Sequence, residues 1–145
     1  MPARRKRRAF SVSIYCRHEG SVLLVQHKRL RLWVPVGGEM LLGETPLEAA
    51  ERELWEGAGI EHPIFPHIHS VLGAPPGLLL YEEHEVSRKG THMNFAFIAE
   101  VPYKNVRSNG TFGASVWVTS LAELPEGTPP SVQDAMPYAL TAGVT

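Results

Sequence analysis

The run Gly38-Glu-Met-Leu-Leu-Gly-Glu44, followed after seven residues by Arg52-Glu-Leu-Trp-Glu-Gly-Ala-Gly-Ile60, decides how this chain is read. Thr45 is a good N-cap, Pro46 suits the first helical position and Glu48 completes a T-x-x-E capping box. The pattern therefore predicts a helix from Thr45 to about Gly57, ended at Gly59. Leu47, Ala50, Leu54 and Ala58 recur at three- and four-residue steps as a buried stripe, while Glu48, Arg52 and Glu56 stack on another face. Glu53 lies one turn from Glu56, so Arg52 can orient both, and both can point at one ion beside the turn at Gly37-Gly38. Carboxylates gathered by a glycine turn suit a hard divalent cation and the phosphate oxygens it bridges to. The plainer reading is an acid-rich surface helix.

Working outward, Phe10 to Cys16 and Ser21 to Gln26 read as a β-hairpin turning at His18-Glu19-Gly20. Leu32 to Val36 leads into Gly37-Gly38, where missing side chains let the backbone approach a ligand closely. Strands are expected at Ile64 to Leu72, Leu78 to Val86, Met93 to Val101 and Ser115 to Thr119, with a polar turn at Ser87 to Gly90. After a loop from Pro125 to Pro130, Ser131 can cap a last helix reaching about Ala142.

With 145 residues, 43% of them apolar, the chain can bury one core, which predicts a single domain over 9–145. The formal net charge is −1, yet Arg4, Arg5, Lys6, Arg7 and Arg8 form a basic run, so the remaining chain is acidic. Residues 1–8 are read as a solvated arm, with RNA, a membrane surface or an acidic partner as the alternatives. Cys16 is the only cysteine, which excludes an intrachain disulfide and fits a reducing cytoplasm. Arg17, His18 and Glu19 interrupt the first apolar stretch too early for a secretory signal, and no segment has bilayer-spanning length. A soluble protein is expected.

At Gly38, Glu44, Arg52, Glu53, Leu54, Glu56, Gly59 and Ile60 the chain resembles the Nudix hydrolase family. That family's signature is a glycine, five residues, a glutamate, seven residues, then R-E-U-x-E-E-x-G-U, where U is a bulky aliphatic residue. Gly57 departs from it, standing where the second glutamate of the E-E pair is expected. The resemblance implies an α+β fold, an α/β/α sandwich with a mixed sheet, and hydrolysis of a nucleoside diphosphate linked to another moiety. It further implies that Mg²⁺ or Mn²⁺ binds Glu53 and Glu56, one of which can instead be the base. The Gly37 carbonyl is implied as a ligand, Arg52 as a clamp and Glu44 as a nearby partner.

A further acid is implied from outside the helix. Phe95 to Glu100 is similar to the strand that supplies it in MutT-type enzymes, which makes Glu100 the candidate, with Glu82, Glu83 and Glu85 as alternatives. The resemblance also allows His92, just before the Met93 strand, to act as a base, as in a branch of the family that breaks the sugar C–O bond of a nucleotide sugar. His67 and His69 share a strand face and could share a metal, although a polar strand face explains them as well. Among Trp33, Tyr81, Phe95, Phe97, Tyr103 and Trp117, Trp33 is the expected base-stacking residue, with Gly38 beside the substrate. A homodimer is allowed for, and nucleic acid is not expected as a partner, a contact by the basic arm being the one exception allowed. The rival class is a Nudix-fold nucleotide-binding or sensor module with a weakened metal site.

Overall fold

The long strand β1 (Arg8–His18) organises the sheet because it pairs along both of its edges. A computed structural model describes residues 8–68, 72–85 and 90–143. β1 turns back antiparallel into β2 (Ser21–His27) through Glu19 and Gly20, both with positive φ (47° and 82°), the backbone a two-residue hairpin turn requires. β3 (Trp33–Val34) pairs with β2 and β4 (Val36–Glu39) with β1. Pro35 between them has no N–H to give a ladder, so the chain changes partner there.

β5 (Leu78–Glu85), β6 (Thr91–Glu100) and β7 (Phe112–Val118) complete a seven-stranded sheet of order β3-β2-β1-β6-β5, with β4 joined to β1 and β7 to β2. The β1–β6 pair is parallel and the others antiparallel, so the sheet is mixed. Alternation along β1 sends Val12, Ile14 and Cys16 into one core and Tyr15 into another. Helix α1 (Pro46–Ala58) closes the first with Ala50, Leu54 and Ala58; helix α2 (Pro130–Thr141) closes the second with Val132, Ala135, Met136 and Ala139. This is the expected α/β/α arrangement. No helix of the described residues is long and apolar enough to cross a membrane.

Several boundaries differ from expectation. β1 begins at Arg8, paired with Thr91, so only residues 1–7 of the basic run fall outside the described residues. Among the described residues, the strand expected from Ile64 to Leu72 shows one bridge, from Ile64 to Glu100, because Pro63 and Pro66 flank it and remove ladder donors. Val86 and the turn at Ser87 to Lys89 lie outside the described residues, as does His69. The last helix starts at Pro130 with Pro129 as N-cap, and no side chain caps it, so Ser131 lacks the capping role expected of it.

Candidate active site

α1 begins as its sequence dictates. Thr45 Oγ1 accepts from the Glu48 amide at 3.2 Å, Glu48 accepts from the Thr45 amide at 3.0 Å, and Gly59 ends the helix in the left-handed conformation at φ 66°. The helix lies against β4, and the two glycines there serve different ends. A Cβ on Gly37 would fall 2.2 Å from the Val12 carbonyl oxygen of the neighbouring strand, so Gly37 is demanded by the sheet. A Cβ on Gly38 would fall 2.6 Å from Glu53 Oε1, so Gly38 makes room for a carboxylate against the backbone.

Arg52 gathers the acids. Its Nε and Nη2 grip Glu44 at 2.7 and 3.0 Å, Nη1 donates to Glu53 at 2.9 Å and to Glu56 at 3.2 Å, and Nη2 also donates to the Glu39 carbonyl at 3.1 Å. Glu44 also accepts from the Leu41 amide at 2.7 Å, which ties the loop to the helix. The hydrogen bonds that Arg52 donates hold the Glu44 carboxyl below its ordinary value, and donating to Glu44, Glu53 and Glu56 raises Arg52 further. Three carboxylates against one guanidinium leave the cluster negative. Glu53 is mostly covered and Glu56 is open to solvent.

The donor set is hard oxygen, which fits Mg²⁺ or Mn²⁺, but it is sparse. Among the described residues no three His, Cys, Asp or Glu side chains are grouped to hold a metal ion by themselves. Two carboxylates with retained waters match the way Mg²⁺ is commonly held. The position of the absent signature acid has a neighbour that the sequence reading missed. Asn109 Nδ2 donates to the Gly57 carbonyl at 3.1 Å and would lie 3.8 Å from a Cβ built on Gly57. Asn109 Oδ1 accepts from the amides of Thr111 and Phe112, so one side chain fastens its loop to the end of α1. Ser108-Asn109-Gly110 reads only as a turn. Nothing local betrays a contact made across 52 positions.

Glu100 is not brought to this cluster. It sits opposite Arg17, five positions beyond the Val12–Phe95 pair that lies level with Gly38, or about 16 Å along the strand. There it takes the Arg17 Nε at 2.7 Å, and Arg17 also donates to the carbonyls of Ala139 and Ala142 at the end of α2. The pair fastens a helix C-terminus, where a cation is favoured. Trp33 is likewise away from the acids, packed on the α2-side core with its amide donating to the Gly127 carbonyl at 3.0 Å. Phe97 is core, Trp117 receives Lys104 over its ring, and the Tyr103 hydroxyl accepts from the Glu61 amide. His67 is exposed and outside any strand. Glu83 accepts from the Tyr81 hydroxyl, and Glu85 lies on β5 opposite Thr91.

Glu82 has a defined place on the other face of the sheet. A cavity of about 350 Å³ lies there, floored by Ser11, Ser13, Tyr15, Glu82, His84, His92 and Asn94 and walled by Leu32, Val34, Pro35, Pro129 and Val132. Asn94 accepts from Ser11 at 2.9 Å and Ser13 at 3.3 Å and donates to Glu82 at 3.1 Å, and His84 Nε2 stands 3.0 Å from the same carboxylate. His92 Nε2 is buried, 3.9 Å from Glu39, and has no hydrogen-bond partner among the described residues. Glu39 of β4 adjoins Gly38, gives its carbonyl to Arg52 and has its carboxylate 3.9 Å from His92 of the cavity floor, so one residue links the acidic cluster to the cavity lining.

A mixed sheet between two helices carries an arginine-centred carboxylate cluster against Gly37 and Gly38 of β4. The NUDIX domain family model matches residues 5–136, and the chain belongs to that family. Its structure is similar to a NUDIX-family hydrolase from Clostridium perfringens, at TM-score 0.75 and 23% identity, covering 91% of this chain and 95% of that one. It is also similar to a MutT protein from Methanosarcina mazei Go1 (TM-score 0.72, 23% identity, 91% and 92% covered). A third likeness is to a MutT NUDIX hydrolase from Burkholderia pseudomallei (TM-score 0.71, 18% identity, 91% and 98% covered). No curated protein matches the chain.

Proposed function

We propose that this chain is a Mg²⁺-dependent hydrolase that cleaves the diphosphate bond of a nucleoside diphosphate linked to another moiety. The observation that carries the reading is Glu53 lodged against Gly38 and joined through Arg52 to Glu44 and Glu56. Glu53 and Glu56 would hold the cation with the Gly37 carbonyl, and the cation would neutralise charge on the phosphoryl oxygens. Arg52 keeps the two ligands from splaying apart. Glu44 anchors Arg52 from the loop, and Glu56, open to solvent, would serve either as the second ligand or instead as the base that takes a proton from attacking water. The base and sugar would run from Gly38 past Glu39 into the polar cavity.

The test is a release assay over nucleoside triphosphates, nucleotide sugars, ADP-ribose and dinucleoside polyphosphates, with and without Mg²⁺. Metal-dependent turnover of one class is expected; no turnover of any would overturn the reading. Gly57 and Asn109, neutral where a carboxylate would strengthen the site, favour a second reading as a nucleotide-binding module. Binding without cleavage would select it.

A further inference from the structure

We propose that Glu82 selects the base, giving the cavity a preference for a guanine-type edge, one that presents adjacent N–H donors beside a carbonyl. This rests on the reading that the cavity holds the base. Glu82 lies opposite Asn94 in the β5–β6 register. The Asn94 carbonyl is taken by the hydroxyls of Ser11 and Ser13, which turns its amide N–H toward Glu82. Asn94 is 5% exposed and cannot easily turn away. His84 Nε2 flanks the same Glu82 oxygen, so Oε1 is fixed from two sides.

The second oxygen, Oε2, takes no hydrogen bond among the described residues, and Glu82 lines the cavity. An ionised carboxylate only accepts. It therefore attracts ring N–H and amino groups and repels carbonyls and bare ring nitrogens. Tyr15 lines the same floor, and burial together with the charge of Glu82 keeps its phenol protonated, so the cavity lining includes a hydroxyl donor as well as the carboxylate. Guanine offers a ring N–H and an amino group for the acceptor and a carbonyl for the donor. Adenine sets a bare ring nitrogen beside its amino group, and uracil flanks one N–H with two carbonyls. Leu32, Val34, Pro35 and Val132 supply apolar walls for the ring faces.

Isothermal calorimetry with GMP, IMP, AMP, CMP and UMP tests this, because monophosphates contain no anhydride to cleave. GMP should bind about tenfold more tightly than AMP or UMP, with IMP, which lacks the amino group, between them. In the Glu82→Gln variant, checked for folding by circular dichroism, the GMP advantage over AMP should shrink to about twofold or less. AMP or UMP binding as tightly as GMP overturns the proposal, and so does a GMP advantage that survives in the folded variant. Should that variant not fold, IMP binding as tightly as GMP in the unaltered protein overturns it. Binding of all five without preference removes the role of Glu82 but leaves the hydrolase reading standing; binding of none removes the base-cavity reading as well.

Discussion

Arg52 commits all five of its N–H donors, four to Glu44, Glu53 and Glu56 and one to the Glu39 carbonyl. Because Glu53 and Glu56 are held by that fork, Glu53→Gln or Glu56→Gln should lower Mg²⁺-dependent turnover by about a hundredfold or more, with melting temperature near that of the parent. Full activity in both variants would sink the assignment. Glu44 has its folded pKa below the unfolded value, so its contribution to stability is present above about pH 4.3 and is lost as pH falls through the folded value. Glu44→Gln should therefore flatten the acid limb of melting temperature against pH; an unchanged limb would show that Glu44 does not contribute. At Gly57 a Cβ would meet Val36 Cγ1 at 3.4 Å and Glu53 Oε2 at 3.6 Å, which are ordinary contacts. Gly57→Glu is thus expected to fit, to lower the Mg²⁺ needed for half-maximal activity, and to melt at a temperature that rises more steeply with added Mg²⁺ than in Gly57→Ala. Equal Mg²⁺ responses would mean that the site is built around glycine.

At the scale of elements, α1 was legible residue by residue, because its cap, its capping box, its stripe and its stop are all local. Thr45→Ala should cost about 1 kcal/mol in chemical denaturation by freeing the Glu48 amide. The loop that docks on the far end of α1 was not legible. Asn109→Ala should cost about 1 to 3 kcal/mol, since it strands the Gly57 carbonyl and the amides of Thr111 and Phe112 together. A change within error would mean that water replaces all three bonds. The segment from Ile64 reads as apolar and extended, yet among its described residues the flanking prolines leave one bridge, a case where composition outweighed donor count.

For the whole molecule, two cores back the two faces of one sheet, and Glu39 at the end of β4 touches both Arg52 of the acidic cluster and His92 of the cavity floor. Since β1 pairs with β6 from Arg8 onward, removal of residues 1–7 should leave melting temperature and small-nucleotide hydrolysis nearly unchanged. A large loss confined to RNA substrates would give the basic run a role in binding RNA ends.

The sequence by itself determined what depends on near neighbours: helix α1 with its caps, the spacing of Glu44, Arg52, Glu53 and Glu56, and through them the family and the α/β/α sandwich. Register and docking were decided only in the tertiary structure. Glu100 closes a strand with the expected pattern, yet the parallel pairing of β6 with β1 sets it against Arg17 and the end of α2. Glu82, indistinguishable in the sequence from Glu83 and Glu85, is turned into the cavity by the pleat, which sends alternate side chains to opposite faces. Asn109 reaches Gly57 only because the chain between them folds back on itself. Local hydrogen bonds are written in adjacent residues; which side of a strand meets which helix is settled by the packing of the whole sheet.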